Sequence, residues 1–343
     1  MTPYIIVYIF YFMVVGAKSG ARNQRIWFFL ASVPMIGLVF LRRDMIGVDI
    51  PMYELSIDAI RVSGTYTYTF EPLFEYAIRF LSLRISDSSV VLAVFSALTT
   101  LLLYWGSYRI ERKPFLLAFC IVPYFYLDMT MNGIRYGLAF SMVVCGAQFL
   151  IKGRRYLYFF LAVAASLIQL SSVILAIMLL MLIEKRWRMM FVAIVWVTII
   201  YYFSADYLQL KFDANKSLEA QSITSGLAPL LLSMLTLAAF WFNRNFKKVA
   251  AVQILILGAF SIGGYVLTQF TYAGLRIQLL NLFLIFVFCA CIVNIHNIKI
   301  NKKTVLVILL IGLVGAIFRL KNFYSEAGQG DAPFAPYYFI WEN

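Results

Sequence analysis

IQLLNLFLIFVFCACIVNIH, residues 277–296, runs for 20 residues without a Lys, Arg, Asp or Glu. As a helix rising about 1.5 Å per residue, the run covers about 30 Å, the depth of a bilayer's hydrocarbon core. Its Leu, Ile, Phe and Val side chains show no period-two alternation, which selects a spanning helix over a barrel strand. Backbone N–H and C=O groups cannot stay unpaired in lipid, so the helix is also what the solvent demands. The whole chain shares this character. Of its 343 residues 63% are hydrophobic and 13% charged, and its mean hydropathy is +0.85. The expected fold is therefore all-α and polytopic, a single transmembrane domain over residues 1–343 without a soluble domain, linker or tandem repeat.

The formal charge of +13 raises the question of a nucleic-acid partner, and its distribution answers it. Six clusters hold 18 of the 29 Lys and Arg residues. They are Lys18, Arg22, Arg25; Arg109, Arg112, Lys113; Lys152, Arg154, Arg155; Lys185, Arg186, Arg188; Arg244, Lys247, Lys248; and Lys299, Lys302, Lys303. Each sits between apolar runs, accompanied only by Glu111 and Glu184, the pattern of cytoplasmic loops. The basicity reports topology and gives no reason for a nucleic-acid partner. Cys120, Cys145, Cys289 and Cys291 fall inside apolar runs, where a thiol is a small hydrophobe, and no disulfide is expected. The first apolar run has no basic segment before it and no small-residue cleavage site after it, so it reads as a retained helix.

With the clusters placed inside, about twelve apolar segments follow, at about 4–16, 26–41, 88–107, 115–131, 135–151, 155–168, 170–183, 190–203, 228–242, 249–268, 277–296 and 304–319. Both termini then lie outside. The stretch from Glu71 to Arg84 cannot be a full span without inverting every later cluster, so it is expected as an amphipathic helix at the outer interface. The segment from Tyr156 to Ile183 links two inner clusters and needs a short helical hairpin turning near Gln169, Ser171 and Ser172. Outer loops are expected at about 42–87 and 204–227, with an outer tail at about 320–343. The outer side and adjoining membrane keep the remaining 11 basic and 14 acidic residues, so chemistry is sought there.

Four constellations stand out. RRDMIGVDIPMY, residues 42–53, offers Arg42 and Arg43 to lipid headgroups or to a substrate phosphate. In the same run Asp49 can accept a hydroxyl proton or a sugar hydrogen bond beside Tyr53. Asn132 ends one apolar run, Gly133 bends the chain and Arg135 starts the returning helix, where a guanidinium and helix-start N–H groups suit a pyrophosphate oxygen; the structural alternative pairs Arg135 with Asp128. Tyr272 and Arg276 repeat an arginine at the edge of a long apolar run, either reaching for lipid phosphate or completing an anion site. Glu71, ahead of Pro72 and Glu75, is a first-turn carboxylate or a general base. Gln169 either satisfies the hairpin turn or donates to substrate. Asp206, Lys211, Asp213 and Lys216 read as a solvated face.

The single histidine, His296, lies beside a cytoplasmic cluster, which leaves the outer side without a histidine base or a histidine metal ligand. No Walker A and no G-x-S-x-G motif occurs. Neither metal nor other cofactor is called for.

Together, Gly47, Asp49 and Tyr53, then Glu71, then Asn132 and Arg135, then Arg276 make the chain resemble the EpsG-like branch of the Wzy-type bacterial polysaccharide polymerases. The likeness spans most of the chain through short motifs in a fixed order. It departs where Val48 and Ile50 flank Asp49, where Tyr136 follows Arg135, and at Gln169, the place of a family histidine; the last change points to arginine and carboxylate chemistry. The resemblance implies a GT-C-like glycosyltransferase of the inner membrane. Its expected reaction joins undecaprenyl-pyrophosphate-linked oligosaccharide repeats, donor and acceptor alike, into O-antigen, capsule or exopolysaccharide on the periplasmic side. A flippase and a chain-length regulator are the implied partners. Arg135, Arg276, Asp49 and Glu71 are the implied catalytic residues, with Arg42, Arg43, Tyr53, Asn132, Gln169 and Tyr272 around the substrate. A lipid-linked oligosaccharide flippase or secondary transporter is the alternative class, and an O-antigen ligase or membrane acyltransferase a third.

Overall fold

A computed structural model describes residues 2–18, 23–42, 46–64, 70–111, 116–184, 195, 198, 226–325 and 334–341. Thirteen helices run through them: α1 (Thr2–Ala17), α2 (Gln24–Phe40), α3 (Ile50–Ser63), α4 (Pro72–Ser82), α5 (Ser88–Ile110), α6 (Leu117–Met131), α7 (Ile134–Ile151), α8 (Arg155–Ser166), α9 (Ser172–Glu184), α10 (Leu227–Trp241), α11 (Arg244–Thr268), α12 (Tyr272–Ile295) and α13 (Lys302–Ser325). Among the described residues the only β pairing is an isolated bridge between Arg42 and Phe339. Five helices, α5, α7, α11, α12 and α13, are long and apolar enough to cross a membrane. Helices α1, α2, α6, α8, α9 and α10 are apolar but shorter. The described residues are thus all-helical, with membrane-embedded character. Eleven of the twelve expected apolar segments coincide with helices; the twelfth, 190–203, lies mostly outside the described residues, as do the loop over 204–225 and Arg43.

Two compact units divide the chain, residues 1–172 with 312–343, and residues 173–311. In the first, α5 packs along α7 and α7 along α8, while α1 lies on α2 and on α6. Helix α6 is wound as a π-helix over Leu117–Tyr126, with Pro123 inside it. In a helix bonded five residues back, a proline that lacks an N–H leaves the carbonyl of Ala118 open. The Tyr11 hydroxyl fills that gap at 2.5 Å, and Tyr8 donates to the Pro123 carbonyl at 2.7 Å. Tyr4, on the same face of α1, donates to the Phe334 carbonyl at 3.0 Å. The polar tip of each tyrosine is thereby satisfied while its ring is buried.

Helix α13 crosses α6 at Gly312, where a Cβ would run into the Phe119 carbonyl. This close approach brings the last turns of α13 alongside the C-terminal end of α6. The tail beyond it folds back on α2: Tyr337 donates to the Leu38 carbonyl at 2.8 Å and the Ile340 N–H to the Leu41 carbonyl at 2.9 Å.

The expected outer loop at 42–87 is not a loop throughout, because it contains α3 as well as α4. Helix α3 starts with Pro51 in its first turn and ends on a left-handed Gly64, the punctuation of a short helix. Its buried residues Ile50, Tyr53, Ile57 and Ile60 recur at helical spacing. Helix α4 is amphipathic as expected, with Phe74 and Ile78 buried. The last helix also runs beyond the expected 319, to Ser325.

In the second unit, α10, α11 and α12 pack on one another. Asn281 in α12 donates to Ser261 Oγ of α11 at 2.6 Å, a buried interhelical bond of the kind that joins apolar helices. The four cysteines are buried thiols spread over α6, α7 and α12.

Two consequences follow for stability. Gly312→Ala forces α13 off α6 and should cost about 1–3 kcal/mol, as overpacking does, read as a lowered unfolding midpoint in detergent or nanodiscs. The second concerns Glu111, whose carboxylate caps the start of α6 through the N–H groups of Leu116 and Leu117 at 3.1 and 3.2 Å. Burial pushes Glu111 up to about 8, against those two bonds and Arg25, which lower it. A carboxylate raised on folding stabilises fully below its unfolded value, and that contribution is lost as pH rises through about 8. The unfolding midpoint should therefore fall over that range, and Glu111→Gln should flatten the fall.

Candidate functional site

Helix α6 stops at Met131 and α7 starts at Ile134, so residues 132 and 133 make a sharp reversal. The N–H groups of Asn132 and Gly133 both donate to the Asp128 carbonyl, at 3.1 and 2.9 Å. This break seats the loop before α3. Gly47 has φ +125° and approaches Met131 so closely that a Cβ would overlap the Met131 carbonyl, which satisfies both reasons for glycine at once. Two residues on, the Asp49 N–H donates to Asn132 Oδ1 at 2.9 Å, while Asp49 itself is exposed. Arg42 steadies the other side of the loop, its Nη1 donating to the Ile46 carbonyl at 3.3 Å.

Arg135, in the first turn of α7, donates from Nη1 to Glu71 Oε2 at 2.7 Å, with the two side chains 15% and 5% exposed. Its Nε faces the Tyr53 hydroxyl at 3.4 Å. The guanidinium carbon lies 4.8 Å from the centre of the Phe70 ring, and 5.9 and 6.0 Å from those of Phe74 and Tyr53. A planar cation is thus set between aromatic rings and the Glu71 carboxylate, a geometry that suits arginine and not lysine. Glu71 is held in turn. Its Oε1 accepts the Leu170 N–H at 3.1 Å, and two residues on the Leu73 N–H donates to the Leu167 carbonyl at 2.9 Å. The connection between α8 and α9 is therefore docked on the start of α4. Tyr53 is raised above the usual tyrosine range, chiefly by burial, then lowered by Arg135 and raised by Asp49, which places it within electrostatic reach of both.

Asp49, Tyr53, Glu71, Asn132 and Arg135 are thus gathered in the first unit by direct contacts. Gln169 lies beside them through its backbone, its N–H donating to the Ala165 carbonyl at 2.9 Å and its carbonyl accepting the Ser172 N–H at 3.0 Å. Those bonds close the turn without the side-chain amide. The structural alternative for Arg135 does not hold, since Glu71 and not Asp128 is its carboxylate. Arg276 belongs to the second unit and is exposed, one turn into α12, which begins at Tyr272.

The sequence reading missed Arg319 and the use made of Asp128. Arg319 Nη2 forms an ion pair with Asp128 Oδ1, Tyr136 donates its hydroxyl to Asp128 Oδ2, and Asn132 Nδ2 donates to Asp128 Oδ1 at 3.1 Å. A lone arginine near the end of a long apolar helix was the available signal. Among the described residues no group of three His, Cys, Asp or Glu side chains is placed to share a metal ion.

What the fold and site define is a helical membrane protein with a buried arginine–carboxylate centre at a helix break. A model of the EpsG family matches residues 25–339, and the chain belongs to that family, whose members are Wzy-type polysaccharide polymerases. No curated protein and no solved structure matches the chain.

Deleting one partner of the central pair exposes its energetics. Glu71→Ala leaves the Arg135 charge buried without its carboxylate, at a cost of about 3–5 kcal/mol. Removing both charges in Glu71→Gln/Arg135→Gln should destabilise less than Glu71→Ala alone, as read by thermal unfolding of the purified protein.

Proposed function

We propose that this polysaccharide polymerase joins undecaprenyl-pyrophosphate-linked oligosaccharide repeat units at the periplasmic face of the bacterial inner membrane, through a GT-C-like arrangement of about twelve apolar segments. The carrying observation is the Arg135 guanidinium, fixed by Glu71 at the head of α7 and next to the Asp49 loop, in a chain of this family. The six basic clusters between apolar runs support a cytoplasmic assignment for the opposite loops.

In this reading the donor's anomeric carbon–oxygen bond to pyrophosphate breaks as the acceptor hydroxyl oxygen bonds to that carbon from the opposite face, with inversion. Arg135 takes the charge that develops on the departing undecaprenyl pyrophosphate. The acceptor's proton goes to Asp49, the exposed carboxylate of the site. Glu71, with one oxygen on Arg135 and the other on the Leu170 N–H, orients the guanidinium and is not the base. The family resemblance further implies Arg42, Arg43, Tyr53, Asn132, Gln169 and Tyr272 as substrate-binding residues and Arg276 as a catalytic one. A flippase supplies the repeat units and a chain-length regulator limits their number.

Arg135→Ala and Arg276→Ala should each abolish polymer in cells that still insert the protein, leaving glycans of one repeat unit on gels. Arg135→Lys should do almost as badly, since the planar fork is lost. Full-length polymer from both alanine variants contradicts the assignment. Purified protein in liposomes that moves lipid-linked repeats across the bilayer without joining them would make it a transporter instead.

A further inference from the structure

The Asp128 cluster lies outside the chemistry just described, yet it touches that chemistry through one amide. Asn132 has two hydrogen-bonding ends. Its Oδ1 accepts the Asp49 N–H at 2.9 Å and its Nδ2 donates to Asp128 Oδ1 at 3.1 Å. A backbone N–H only donates and an ionised carboxylate only accepts, so these two neighbours permit a single orientation of the amide. Asp128 is kept as that acceptor by the Arg319 guanidinium on one oxygen and the Tyr136 hydroxyl on the other. Arg319 is 9% exposed and arrives on α13, which Gly312 brings against α6. An arginine near the end of an apolar helix is costly unless it meets such a partner.

We propose that Asp128 and Arg319 are positioning residues: the pair fixes the direction of the Asn132 amide, and through it the seat of the Asp49 loop beside Arg135. The chain of cause runs from the cation on the last helix to the carboxylate on α6, then to the amide at the helix break, then to the backbone of the catalytic loop. Tyr136 acquires a role here, as the hydroxyl that occupies the second oxygen of Asp128. The part of the proposal that concerns turnover rests on the polymerase reading; the geometric part does not.

The test has two readouts. Hydrogen exchange of the peptide covering residues 46–53 reports whether the Asp49 N–H stays bonded, and needs no activity. Asn132→Ala removes the bond directly and Arg319→Gln removes it at a distance, so both should raise exchange at the start of that peptide, while Arg319→Lys, which keeps the cation, should leave it closer to the parent chain. In polymerisation assays with lipid-linked repeats in liposomes, Arg319→Gln should lower kcat about tenfold with KM little changed, the size of effect expected from one misplaced hydrogen-bonding group. The double variant Arg319→Gln/Asn132→Ala should be no slower than Asn132→Ala alone, because the two act in series. Unchanged exchange in Arg319→Gln, or losses that multiply in the double variant, would overturn the proposal. A parent chain that makes no polymer would sink the polymerase reading alone, and the exchange data would still decide the positioning.

Discussion

The ion pair between Arg135 and Glu71 is the constraint around which the first unit is arranged. Taking two charges out of water costs several kcal/mol each, and the attraction between them repays this only where the geometry is good and the remaining hydrogen-bonding groups are satisfied. The structure meets that condition from three directions. Aromatic rings from the start of α4 and from α3 surround the guanidinium, the turn after α8 supplies an N–H to the second carboxylate oxygen, and the helix break at 132–133 sets where α7 begins. A hydrophobic pair of equal volume would be cheaper for stability alone. In the function proposed above, the charges are retained to bind an anion.

The same logic explains why the loop over Gly47 to Asp49 is so tightly specified. An exposed carboxylate serves a reaction best when its backbone is held. Gly47 permits the close approach to Met131, the Asn132 amide takes the Asp49 N–H, and Pro51 starts α3 at once. The loop is thereby held on a rigid frame, the arrangement that loop-borne functional residues on scaffolds generally require.

Much of this was legible in the sequence, for physical reasons that differ by element. Apolar runs announce helices because lipid leaves the backbone no other choice, so α1, α2 and the later long helices fell where expected. Helix α3 leaves a weak sequence signal because it is short, half polar and set among charged residues; its Pro51 start and Gly64 stop are local marks only. Asp49, Tyr53, Glu71, Asn132 and Arg135 could be named because charged and amide groups next to apolar runs are conspicuous. Their pairing could not be read. Arg135 stood four residues from none of its real partners, and Asp128, seven residues before it, looked the nearer carboxylate; only folding shows that Arg319, almost at the other end of the chain, claims it. Contacts of that separation leave no periodic trace in a single sequence.

The role proposed for Arg135, in the pose Glu71 gives it, is to bind the pyrophosphate of the lipid carrier. Its most direct test is the affinity of undecaprenyl pyrophosphate for the purified protein in nanodiscs, measured against Arg135→Gln over a series of salt concentrations. The variant should lose at least about tenfold in affinity, the scale of a lost charge-assisted bond, together with a weaker dependence on salt. Equal affinities and equal salt dependence in the two proteins would contradict it.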